Sequence, residues 1–216
     1  MNITEQFLAD VANHQMTVIR EDGVNRHLRF QRPGTMTMYF DLITWPGYLC
    51  YTGDMGTYVF RRLNDMFGFF RREENSPAYR IDMRYWAEKA EAADKTDGLT
   101  RCRPKTFVAA LRECFDSHVS AYHPDISYAD REDFWEEAQL TAKWALDEGD
   151  GRAAIRAVND YCRDGRQVFP EFWAYDVREF SHRFEWCCHA LEWAIGVYDA
   201  SRTAEAPRAP SCENTT

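Results

Sequence analysis

Four tight turns divide residues 16–61 into short segments of alternating hydrophobicity, and no other part of the chain restricts the fold as strongly. The turns are Asp22-Gly23, Arg32-Pro33-Gly34-Thr35, Trp45-Pro46-Gly47 and Gly53-Asp54-Met55-Gly56. Asp-Gly and Pro-Gly pairs provide the backbone conformations that tight turns require. Because connections this short join only antiparallel neighbours, the sequence predicts a five-stranded antiparallel meander with its strands in chain order.

Alternation within the strands predicts which side chains share a face. Leu28 and Phe30 are expected on one side of the second strand, with His27 and Arg29 on the other. The third strand is predicted from an alternating run that begins at Met36. One apolar face must be buried, and the helices that follow can cover it.

Periods of three and four residues predict helices through most of the remaining chain. A short helix covers residues 3–13, and Asp82 is expected to cap a helix that ends near Asp94. Further helices are predicted over residues 104–121, from an Asp130 cap to Leu146, from about 151 to Cys162, and over 176–201. The fold class is therefore α+β. We expect three regions: residues 1–75 with the sheet, residues 76–201 packed on it as one helical unit, and a disordered tail over 202–216.

The net charge of −9 is unevenly distributed. Residues 1–80 carry nine arginines and nine acidic side chains, so the helical remainder carries the whole excess of negative charge. An acidic helical region disfavours sequence-independent binding to DNA or to anionic membranes, because its carboxylates would repel the phosphate groups of either one.

Several features indicate a cytoplasmic protein. The first fifteen residues contain Glu5 and Asp10 instead of a basic segment, and no apolar run is long enough to cross a bilayer. The seven cysteines are irregularly spaced, which is not typical of a disulfide framework. We expect reduced, buried thiols and no membrane partner.

Three groupings of side chains are candidates for a metal site or a catalytic pair. His182, Glu185 and His189 share one flank of the last helix and are weak candidates for a metal site, although they lack the spacing of known zinc motifs. Cys114 with His118, and His123 with Asp125, could in principle be catalytic pairs, but a core pair and a polar turn explain them more simply. The sequence indicates no cofactor and no catalytic set, so we expect a binding protein, with a metal-dependent enzyme as the second alternative.

A surface on the sheet is the remaining candidate. Basic and aromatic side chains on a sheet are what single-stranded nucleic acids bind. Such side chains are predicted on the side that the helices leave open: Arg20, Arg26, Arg29, Tyr39, Tyr58 and Arg61. Because this region also holds nine acidic residues, local ion pairing is the simpler explanation of the arginines.

The segment FDLITWPGYLCYTGDMGTYVF, over residues 40–60, resembles a family of uncharacterised bacteriophage and prophage proteins. The resemblance extends to His27-Leu28-Arg29-Phe30, Asp65-Met66-Phe67 and Tyr85-Trp86-Ala87-Glu88-Lys89. It implies a phage accessory role in host takeover or evasion of host defence, by binding a host protein in the host cytoplasm. A nucleic-acid-binding module that uses the open face of the sheet is the alternative. The sequence predicts no oligomeric state.

Overall fold

The computed structural model describes residues 2–71, 81–148 and 151–205. The chain forms two compact units: Met1–Leu99 together with Ser181–Thr216, here called the sheet unit, and Thr100–Phe180, called the helical unit. The boundary predicted between residues 75 and 76 lies outside the described residues.

The sheet unit is built on an antiparallel sheet of six strands that follow one another in chain order. The α+β class and the meander are therefore confirmed, with one strand more than predicted. The strands are β1 (Gln15–Asp22), β2 (Asn25–Gln31), β3 (Phe40–Trp45), β4 (Tyr48–Gly53), β5 (Gly56–Arg61) and β6 (Ala90–Ala92).

The third strand begins at Phe40, four residues later than the alternation from Met36 predicts. Residues 36–39 form a turn in which Met38 has a positive φ of 58°. The Met38 N–H donates to the Asp54 carboxylate at 2.6 Å, and the Tyr39 carbonyl accepts from the Asp54 N–H at 3.1 Å. These bonds tie the segment to the β4–β5 turn, so it cannot extend the ladder with β2.

The helix predicted from Asp82 to Asp94 ends early. The Asp82 carboxylate caps the helix as expected, accepting from the Tyr85 N–H at 3.0 Å, but α3 covers only Met83–Glu88. The next residues form β6, whose entry is fixed by the Arg61 N–H donating to the Lys89 carbonyl at 2.9 Å. Backbone pairing with the open edge of β5 thus outweighs the helix propensity of this alanine-rich segment.

Helices cover one face of this sheet. They are α1 (Ile3–Val11), α2 (Phe67–Phe70), α3 and α7 (His182–Glu205). The predicted apolar stripe of α7 is buried from Phe184 to Tyr198. The helix begins six residues after the predicted Asp176 and continues past the predicted end at Ser201. Residues 206–216, most of the predicted tail, lie outside the part of the chain that the structure describes.

The helical unit has its own core, centred on aromatic side chains of α4 (Pro104–Tyr122) and α5 (Tyr128–Asp147). The predicted buried stripe of α4 is confirmed, from Phe107 to His118. The cap of α5 is Ser127 and not Asp130, because the Ser127 hydroxyl accepts from the Asp130 N–H at 3.2 Å. The smaller elements are α6 (Gly151–Asp160), a 3-10 turn (Phe172–Ala174), and the strand pairs β7 (Thr100–Cys102) with β10 (Arg178–Phe180) and β8 (Cys162–Arg163) with β9 (Arg166–Gln167).

Candidate functional site

The register of the sheet separates two faces with different chemistry. Described ring contacts between α7 and the sheet fall on the covered face; Trp186, for example, packs on Phe40 and Tyr51. Residues paired across strands point to the same side, and those of the opposite parity form the other side. We call that side the open face; its members on β2 to β5 are His27, Arg29, Asp41, Ile43, Trp45, Tyr48, Cys50, Thr52, Thr57, Val59 and Arg61.

One end of the open face is a compact charged cluster around Asp41. The Arg29 guanidinium donates to both carboxylate oxygens at 2.8 Å, and His27 Nε2 lies 2.8 Å from Oδ2. Burial alone would raise the pKa of Asp41, but the hydrogen bonds from Arg29 and His27 outweigh it and the pKa is lowered. The cluster therefore holds a buried carboxylate that neutralises Arg29.

The middle of the open face is an apolar row. Ile43, Cys50 and Val59 are register partners on three adjacent strands, and all three are partly buried. Burial raises the pKa of the Cys50 thiol, so at neutral pH it is protonated and behaves as a small apolar side chain. This row offers packing surface and no nucleophile.

The other end of the open face is an aromatic corner formed by Trp45, Tyr48 and Arg61. The Trp45 and Tyr48 rings stack at 5.2 Å with an angle of 13° between their planes, and Arg61 Cζ lies 5.3 Å from the Tyr48 centroid. Trp45 is 38% exposed, and no carboxylate of the described residues pairs with Arg61. The corner therefore presents a rigid aromatic surface with an available guanidinium.

Three of the six predicted binding residues lie on the open face. Arg29 and Arg61 are in the cluster and the corner, and Arg20 is the register partner of His27, with its guanidinium 3.7 Å from Asp22. Tyr39 lies beside the charged cluster, its ring centroid 5.9 Å from Arg29 Cζ.

The predicted position of Arg26 on the open side is wrong. Arg26 lies two residues before Leu28 on β2, so the two side chains point to the same, covered face. Arg26 is only 9% exposed. There the guanidinium donates to both oxygens of Asp65 at 2.9 Å and lies 4.6 Å from the Phe67 centroid. Arg26 is thus part of the packing between the sheet and α2.

Tyr58 is also on the covered face and not on the open side. It is the register partner of Tyr51, it is fully buried, and its ring packs against Phe184 of α7 at 5.6 Å. Burial raises its pKa well above the ordinary tyrosine value. Its role is in the core.

The three residues considered for a metal site do not converge. His182 Nε2 lies 3.4 Å from Gln6 Oε1, and His189 Nε2 lies 3.5 Å from Thr4 Oγ1, so both imidazoles face α1. Burial lowers the pKa of His189. Within the described residues, no three or more histidine, cysteine or acidic side chains form a group that could hold a metal ion.

The sequence did not predict the aromatic corner or the apolar row. The signal was available in part, because Trp45 and Tyr48 flank the Trp-Pro-Gly turn and Ile43 alternates with Leu42. Comparisons with protein-family models, with curated proteins and with solved structures found no match to this chain. The resemblance to phage and prophage proteins therefore stays a prediction. Across the described ranges, no helix has both the length and the apolar character needed to cross a bilayer.

Proposed function

We propose that this chain is a phage- or prophage-encoded accessory protein that binds a host protein in the host cytoplasm through the open face of its sheet. The supporting observation is the apolar row of Ile43, Cys50 and Val59, continuous with the aromatic corner. Tryptophan, tyrosine and arginine beside a small apolar patch are the residue types that dominate the binding energy of protein interfaces.

The charges of the open face favour a protein over a nucleic acid. Arg29 is engaged by the buried Asp41 carboxylate and is not free to neutralise a phosphate, whereas Arg20 forms only an exposed pair with Asp22 at 3.7 Å. The centre of the face is apolar, whereas a single-stranded nucleic acid would need a continuous basic track. The complementary partner surface is apolar, with a carboxylate placed to meet Arg61.

The proposal is tested at the aromatic corner. With a host partner identified by affinity capture and then purified, Trp45→Ala should weaken its binding about tenfold to a hundredfold, as expected for an aromatic anchor. Isothermal titration calorimetry with both purified proteins measures the change. Trp144→Ala is the matched control, because Trp144 is also exposed, at 55%, but lies in the helical unit. Equal affinity of the Trp45 variant and wild type would contradict binding through this face.

The nucleic-acid alternative has one observation in its favour, the stacked pair of Trp45 and Tyr48 with Arg61 beside it. Such a platform can stack an unpaired base. A mobility-shift titration against single- and double-stranded DNA and RNA at low salt separates the two functions. Absence of a shift at tens of micromolar protein would eliminate the alternative, whereas a shift abolished by Arg61→Gln would favour it.

A further inference from the structure

Three basic side chains gather at the end of α4 in the helical unit. The His118 ring centroid lies 5.7 Å from that of His123 and 4.9 Å from that of Tyr122. Arg166 reaches the same place from β9, with its Cζ 5.0 Å from the Tyr122 centroid. His118 and Arg166, which are far apart in sequence, thus meet at the Tyr122 ring, and His123 lies beside His118.

This cluster lacks a counter-charge among the described residues. None of His118, His123 and Arg166 forms an ion pair or a side-chain hydrogen bond there, although the neighbouring Arg163 pairs with Glu137 at 3.2 Å. The absence is notable in a chain with a net charge of −9. An anion bound among these three side chains would pair with the Arg166 guanidinium and would favour the positively charged form of both imidazoles.

His118 is the most informative member of the cluster. His118 is only 7% exposed, yet neither of its ring nitrogens has a hydrogen-bond partner in the described part of the chain. Burial lowers its pKa, and the charges of His123 and Arg166 lower it further. Neither nitrogen is completely buried, so a ligand that approaches from solvent can accept the N–H of this ring.

The helix terminus explains only part of the arrangement. Cations are favoured at the last turn of a helix, which accounts for His123 at the end of α4. It does not account for Arg166, which comes from a different element, nor for the unpartnered nitrogens of His118. A shared anionic ligand accounts for all three.

We propose that His118, His123 and Arg166 form a binding site for the phosphate group of a small molecule. Donors from two histidines and a guanidinium suit a tetrahedral anion with several acceptor oxygens better than a carboxylate with two. The ring of Tyr122, which is 55% exposed, would form an apolar wall for the rest of a phosphate ester. This site is separate from the open face and does not depend on the function proposed for it.

The test uses the full-length protein titrated with inorganic phosphate and, separately, with a nucleoside monophosphate at constant ionic strength. We expect saturable changes in the imidazole proton signals of His118 and His123 by NMR. Arg166→Gln should weaken the affinity at least about tenfold, since a hydrogen bond to a charged group is lost. Tighter binding of the monophosphate would identify an ester as the ligand, and equal binding would identify free phosphate.

Arg156→Gln is the matched control, because it removes the same charge from an exposed position on α6 of the same unit. It should leave the phosphate affinity unchanged. His118→Gln is a second variant, with its fold checked by circular dichroism. The proposal is overturned if phosphate causes only linear shifts like those of chloride, or if the Arg166 and Arg156 variants titrate alike.

Discussion

At the scale of single residues, Asp41 organises the open face. Its side chain is only 6% exposed, and it accepts hydrogen bonds from Arg29 and His27 at 2.8 Å. A buried carboxylate is tolerated only when it is paired in this way. The same pairing fixes two side chains that would otherwise be free to contact a ligand, so Asp41 determines how much positive charge this face presents.

Asp41→Asn should destabilise the fold by about 2 kcal/mol at neutral pH, because charge-assisted bonds to Arg29 become weaker. The lowered pKa means that the contribution of Asp41 is present above the ordinary value of 3.8 and is lost as the pH falls through the lower folded-state value. The difference between wild type and variant should therefore shrink below about pH 4.

Urea unfolding from pH 7 to pH 2 measures this difference. Asp22→Asn is the control, since Asp22 forms an exposed pair with Arg20 at 3.7 Å. It should change the unfolding free energy by less than about 0.5 kcal/mol. Equal losses in the two variants would show that the Asp41 cluster contributes no more than a surface pair.

At the scale of elements, the β4–β5 turn sets where β3 can begin. A Cβ on Gly53 would lie 2.2 Å from the Tyr39 carbonyl oxygen and 2.7 Å from Phe40 Cα. Both are backbone atoms, which cannot rotate away as a side chain would. The turn before β3 can therefore pack on β4 only if residue 53 is glycine.

Gly53→Ala should destabilise the protein by about 3 kcal/mol, because the backbone must shift to make room. Gly23→Ala is the matched comparison: its φ of +57° disfavours alanine, but a Cβ there meets nothing within 4 Å. That strain should cost only about 1 kcal/mol. Thermal unfolding of the two variants compares their losses of stability. An equal loss in both variants would contradict the close approach at Gly53.

At the scale of the whole molecule, the helical unit interrupts the sheet unit as an insertion. The two chain positions that flank it are adjacent, since the Ser181 N–H donates to the Leu99 carbonyl at 3.0 Å and the Ser181 hydroxyl donates to the Gly98 carbonyl at 3.0 Å. Each unit has a hydrophobic core that is formed by its own buried side chains. Insertions between close chain ends are widely tolerated in folded domains.

Replacement of residues 100–180 by a short Gly-Ser linker should leave the sheet unit folded, because Leu99 and Ser181 already lie within hydrogen-bonding distance. A cooperative thermal transition and a retained near-ultraviolet circular dichroism signal from the buried aromatic residues would support this. A chain that lacks both would show that the sheet unit needs the helical unit to fold. If the open face binds the partner, the shortened protein should bind it with unchanged affinity.

The sequence by itself determined the class of the fold, the strand order of the meander and most helices. Turn residues and periodicity act between neighbours in the chain, so Asp22-Gly23 and the Asp82 cap could be predicted without the rest of the molecule. The covered side of β2 was also determined locally, and the misplacement of Arg26 came from neglecting its alternation with Leu28.

Tertiary structure alone decided what depends on partners distant in sequence. β6 exists because the edge of β5 was free to pair with residues 90–92, against their local helix propensity. Tyr58 is buried because the register places it beside Tyr51 and under α7. The cluster of His118 and Arg166 likewise required two elements to meet. Such contacts are selected by packing energy over the whole unit, which a local pattern of residues does not encode.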